Sequence, residues 1–200
     1  MIKNFKWLFL VSLTFVACTN NDDAVVEEPV SAGTANFSKY VALGDSFAAG
    51  YSDGALFIEG QKGAYPNLLS QQFATAGGGT FTTPLMADNV GGLLLGGNVI
   101  AAKRMYFNGA APVTVSGATT TEVSTKVSGP FNNLGVPGAK SYHLVAAGYG
   151  NVAGVAGGLA NPYFARFSTS ATTTVLADAL AQSLDALSQD FISKTSTTTF

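Results

Sequence analysis

The chain reads as an α/β protein, a parallel sheet flanked by helices with a glycine-rich insertion, and three observations predict this. The apolar run Tyr40-Val-Ala-Leu ends in Gly44-Asp45-Ser46, with Gly50 four residues after the serine, the pattern of a buried strand that stops at a sharp turn. Phe131-Asn-Asn-Leu-Gly-Val-Pro-Gly138 repeats the same strand-to-turn transition downstream. Leu176, Leu180, Leu184, Leu187 and Phe191 recur at helical spacing and predict an amphipathic helix packed on a core.

Hydrophobic residues make up 47% of the chain and charged residues 11%, enough to build a core. The 23 glycines point to many turns and away from a helical bundle. A formal net charge of −2 gives no electrostatic case for a nucleic-acid partner. Two hundred residues suit one domain plus an export segment.

The export segment is residues 1–18. Lys3 and Lys6 supply its positive region, and the apolar stretch 7–17 is too short to span a bilayer. The stretch ends in Phe15-Val-Ala-Cys18, which resembles a bacterial lipobox with Phe15 where leucine is usual. As the only cysteine, Cys18 has no partner for an internal disulfide. It is either a small apolar residue of the signal or the site of lipid attachment, and its place at the end of the apolar stretch favours attachment. Multiple acyl chains would anchor the protein stably, because a single chain binds a membrane only marginally. That implies a cell-envelope location, on the outer membrane of a Gram-negative bacterium. Residues 19–36, with Asp22, Asp23, Glu27, Glu28 and Pro29, have little to bury and read as a solvated tether.

The domain proper starts at residue 37. A first strand is expected over 37–44. Tyr65-Pro66 opens a helix, with proline tolerated in its first turn, and Leu68, Leu69 and Phe73 form its apolar side before Gly77-Gly78-Gly79 ends it. An insertion over about 80–129 contains a glycine-flanked apolar loop at 91–97. It also holds a hairpin built from residues 104–107, the Asn108-Gly109 turn and residues 113–115. A short helix follows over about 140–147 and stops at Gly148. Residues 148–154 read as a glycine-rich connection, Asn161-Pro162 opens another helical piece, and the tail 195–200 carries no structural signal.

A serine at the carboxyl end of a parallel strand lies where open α/β sheets place their chemistry. Gly44-Asp45-Ser46-Phe47 resembles the first motif of the GDSL (SGNH) ester hydrolases, and Gly138 in Leu134-Gly-Val-Pro-Gly-Ala139 matches the glycine of that family's second motif. The resemblance implies a three-layer, flavodoxin-like sheet and a Ser46 nucleophile. It also implies an oxyanion hole drawing on the Ser46 and Gly138 amides, and hydrolysis of a lipid, acetylated-glycan or small ester without cofactor or metal. Asp45 is expected to hold the turn. Each glycine, aspartate and serine also suits an ordinary turn with no chemistry.

The family's remaining parts have no counterpart. No Gly-x-Asn-Asp follows Gly138, where only Asn151 and Asn161 occur, and no Asp-x-x-His exists. The sole histidine, His143, lies five residues after Gly138, out of family order, and is expected to be a partly buried helix residue. No His/Cys/Asp cluster has metal-ligand spacing. Gly138-Ala-Lys-Ser141 lacks the Gly-Lys step of a phosphate loop.

Only part of the family's sheet is therefore expected here, from about residue 37 to 191, with the rest supplied by continued coding sequence or a separate polypeptide. The rival reading is a surface lipoprotein that keeps the scaffold for binding or structure without catalysis. Reading the gene past the Phe200 codon is expected to reveal, in frame or shifted, Gly-x-Asn-Asp and Asp-x-x-His; finding neither counts against the hydrolase reading.

Overall fold

The computed structural model describes residues 30–182. Cys18, most of the 19–36 tether, Leu184, Leu187, Phe191 and the tail 195–200 lie outside them. The described chain is mixed α/β, with a two-stranded parallel sheet, two antiparallel hairpins and several short helices.

Strand β1 (Ala42–Gly44) runs parallel to β6 (Asn133–Gly135), with Ala42 opposite Asn133 and Gly44 opposite Gly135. Strand β6 is buried throughout, while in β1 Ala42 is buried and Leu43 and Gly44 are half-buried, and the long connection between the strands holds the rest of the first half. The expected first strand over 37–44 is shorter than the apolar run that predicted it. Ahead of β1, Tyr40 is used for aromatic packing, edge-on to Phe73 and stacked on Phe81.

Helix α1 (Ser46–Ala49) folds directly back over both strands. It sits so close that a Cβ on Gly135 would fall 2.4 Å from the Ala49 nitrogen, and one on Gly44 would fall 2.6 Å from the Ala48 Cβ. Buried Asn133 completes the joint. Its Nδ2 donates to the Ala48 carbonyl at 3.0 Å, and its Oδ1 accepts from the Gly135 amide at 2.9 Å. The last carbonyls of a helix lack internal partners, and here a strand side chain supplies one.

Helices α2 (Ile58–Lys62) and α3 (Tyr65–Thr75) follow. The predicted proline-led start of α3 is observed. Its end is a Schellman closure: Gly77 takes a positive φ, the Gly78 amide bonds the Phe73 carbonyl and the Gly77 amide bonds that of Ala74. Phe73 docks the helix by stacking on Phe37 at 4.5 Å. Leu68, expected on the apolar side, is instead exposed.

The insertion forms two hairpins, β2 (Leu93–Leu95) with β3 (Asn98–Ala101) and β4 (Met105–Phe107) with β5 (Pro112–Thr114). The second is the predicted hairpin, its turn closed by Asn108 Oδ1 accepting from the Ala110 and Ala111 amides. The first corrects the expected loop at 91–97. Leu93 is fully buried, and the Glu122 carboxylate accepts from the Gly96 and Gly97 amides, fixing the turn. Those bonds, led by the one from Gly97, hold the carboxyl down at about 2.

After β6 come a 3-10 helix (Ser141–Val145), α4 (Val152–Val155), α5 (Pro162–Ala165) and α6 (Val175–Leu180). The short helix expected over 140–147 is thus a tighter 3-10 turn. The 148–154 connection contains the start of α4, capped by Asn151. In α6 the buried face is Val175, Asp178 and Ala179, while Leu180 is exposed. The leucine period placed this face incorrectly, because Thr169 and Thr173 satisfy the Asp178 carboxylate and make its burial tolerable. Helix α5 divides two cores. Phe164 packs with Val41, Leu134, Val136 and Val175, and Ala165 packs with Ala49, Leu56, Met86 and Leu93.

Gly135→Ala drives a methyl into backbone and is expected to cost about 2 kcal/mol in urea unfolding. Gly63→Ala, where the added carbon meets only ordinary contacts at 3.5 Å and φ is −81°, should change stability by less than about 0.5 kcal/mol.

Candidate functional site

The parallel pairing of β1 with β6 determines what meets at the carboxyl edge of the sheet. Gly44 and Gly135 are register partners, so Ser46, two residues beyond one strand end, and Gly138, three beyond the other, leave from the same edge of neighbouring strands. The Val136 amide donates to the Gly44 carbonyl at 2.9 Å, carrying the pairing one step past the last register pair.

At the first turn Asp45 is the helix cap. Its Oδ1 accepts from the Phe47 amide at 2.9 Å, the structural role expected of it. Ser46 is half-buried at the first position of α1. Among the described residues its hydroxyl has no hydrogen-bond partner, and its amide has none either. Phe47 beside it is 78% exposed, with its ring 5.7 Å from that of Tyr65.

Sequence reading assigned Tyr65 only to a helix start, yet it belongs to this turn. Its hydroxyl reaches within 4.0 Å of where a Gly44 Cβ would be. Burial, followed by the nearby Asp45 carboxylate, pushes its phenol above the usual value. Tyr65 is therefore a neutral hydroxyl beside the serine turn at physiological pH.

At the second turn Gly138 is exposed with φ +80°, a conformation that disfavours any side chain, and its amide has no acceptor among the described residues. The space around its α-carbon is open, the nearest atom to an added Cβ being Asn161 Nδ2 at 4.0 Å.

Asn161, expected only to open a helix, also supports this loop. Its Nδ2 donates to the Pro137 carbonyl at 2.8 Å and to the Tyr149 hydroxyl at 3.0 Å. Its Oδ1 caps α5 by accepting from the Tyr163 and Phe164 amides. The signal for this second role was weak, since Asn-Pro marks a helix start but not a contact across 24 residues. Asn151 does no more than cap α4.

His143 is half-buried, as expected. Its Nδ1 accepts from the Lys140 amide at 3.0 Å, and its ring stacks on Tyr149 at 4.3 Å. That bond leaves the proton of the neutral ring on Nε2. No hydrogen bond joins it to Ser46. The described residues hold no group of three metal-ligating side chains, and no helix among them is long and apolar enough to cross a membrane.

No protein-family model, curated protein or solved structure matches the chain.

Chemically, the edge offers an unengaged hydroxyl, two unengaged amides on glycine-lined turns and an exposed aromatic ring. It offers no base. Asn161→Ala removes a cap and the Pro137 clamp together, and is expected to cost about 2 kcal/mol in chemical denaturation. Asn151→Ala, which loses a cap alone, should cost about 1 kcal/mol or less.

Proposed function

We propose that this chain carries the nucleophile-bearing part of a serine ester hydrolase of the GDSL/SGNH type, tethered to the cell envelope through lipidated Cys18. Ser46 would attack the ester carbonyl, and the Ser46 and Gly138 amides would receive the oxyanion. The observation that carries this reading is the pairing of Gly44 with Gly135, which sends two turns with free amides off one sheet edge. Preorganised amides are worth most when no internal acceptor competes for them.

A serine hydroxyl also needs a base to take its proton. His143 is engaged elsewhere, so in this reading the base, its orienting acid and a further oxyanion donor come from polypeptide outside these 200 residues, which would complete the three-layer sheet. The substrate class is an ester with an acyl or acetyl group.

One observation favours the second reading, a catalytically silent surface lipoprotein on the same scaffold. Among the described residues Ser46 has no hydrogen-bonded base, and without one the residual rate comes from binding and donors alone.

A fluorophosphonate probe separates the two. Labelling of the folded protein that disappears in Ser46→Ala supports the hydrolase. A folded sample that takes no label even with the completing polypeptide present supports the silent scaffold.

A further inference from the structure

Three consecutive large side chains on β4 face solvent: Met105 is 43% exposed, Tyr106 49% and Phe107 67%. Single apolar residues are ordinary on a surface, but a whole strand showing both of its faces is not. Alternation sends Tyr106 to one side of the hairpin and Met105 with Phe107 to the other, and none of them belongs to either core. Ala110, Ala111 and Pro112 at the turn are exposed as well. The hairpin is a two-sided apolar blade.

Its turn also hides much of its own polarity. The Asn108 amide donates to the Ala111 carbonyl at 3.1 Å, and Asn108 Oδ1 accepts from the Ala110 and Ala111 amides at 2.9 Å. Pro112 has no amide proton to satisfy. The tip therefore presents mostly carbon. Strand β4 pairs with β5 on one side alone, so its outer edge still needs polar surroundings, and this excludes hydrocarbon depth.

Charge completes the pattern. Residues 89–121 carry Lys103 and Arg104 and no acidic residue. Both cations precede β4, at the base of the hairpin, where Lys103 Nζ donates to the Gly117 carbonyl and Arg104 Nε to that of Asn89. Asp53 lies at this base too, its carbonyl holding the Met105 amide, so two cations stand against one acid. An apolar tip, then a tyrosine, then a positive base follow the order of layers at an anionic bilayer surface. A protein partner would cover one side of the blade, whereas lipid surrounds both.

We propose that the β4–β5 hairpin inserts its tip into the interfacial layer of an anionic phospholipid bilayer. Phe107 leads, and Lys103 and Arg104 meet the headgroup phosphates. This depends neither on catalysis by Ser46 nor on acylation of Cys18.

The full, unacylated chain tests this with vesicles of phosphatidylethanolamine and phosphatidylglycerol whose acyl chains are brominated near the headgroup. In a Trp7→Phe background, Phe107→Trp puts the sole indole at the tip, and Leu68→Trp puts it on α3 at a position 51% exposed. Quenching at position 107 is expected to exceed that at position 68 by at least about threefold. Adding Lys103→Glu to the tip variant should cut its quenching about fivefold. Equal quenching at the two positions, or none at 107, would overturn the proposal. Self-association of the unaltered chain that Phe107→Ser abolishes, with no quenching at 107, also overturns it and assigns the blade to a second copy. Should the Phe107→Trp variant fail to fold, hydrogen exchange of the unaltered chain decides the matter. Amides over 105–112 that slow when vesicles are added support the insertion, and unchanged exchange refutes it.

Discussion

The near-contact between helix α1 and the two strands beneath it governs the rest of this structure. Gly44 and Gly135 face each other across the parallel pair, and neither position has room for a methyl group. With no side chains in the way, the Ala48–Ala49 backbone comes down onto the sheet, and the buried Asn133 amide joins helix carbonyl to strand amide. Close packing of this kind admits few intermediate positions, because interiors are as dense as organic crystals. The helix is consequently held in one place, and Ser46 at its first position is presented at the strand end. Remove the glycines and the turn has to move.

That joint also explains which parts of the molecule were legible in the linear chain. Buried parallel strands read as uninterrupted apolar runs followed by glycine, so the two strand ends at Gly44 and Gly135 and the turns after them could be found from local pattern alone. The Asp45 cap, the Tyr65-Pro66 helix start and the Asn108-Gly109 hairpin turn were legible for the same reason, since their partners lie within a few residues.

What stayed hidden depends on partners far away in sequence. Leu93–Leu95 forms a strand because Glu122 holds the following turn from 25 residues off, which no window around the glycines reveals. Asp178 is buried because Thr169 and Thr173 surround its carboxylate, and this overrides the leucine period that put another face inward. Tyr65 enters the serine turn, and Asn161 the Gly138 loop, only through tertiary packing. In each case a polar group with a specific distant partner prevailed over a local hydrophobic pattern, as expected when burial of polar atoms requires their satisfaction.

The β4–β5 hairpin stands apart from this dense arrangement. Met105, Tyr106 and Phe107 are all exposed, so the strand that carries them buries neither face. The hairpin is tied to the body by bonds such as that from the Met105 amide to the Asp53 carbonyl. Such an element contributes little to what keeps the protein folded. For an evolving lineage it is inexpensive ground: its loop can lengthen, shorten or change character while the glycine joint stays as it is, so variety among descendants should accumulate on this arm before it reaches the strands.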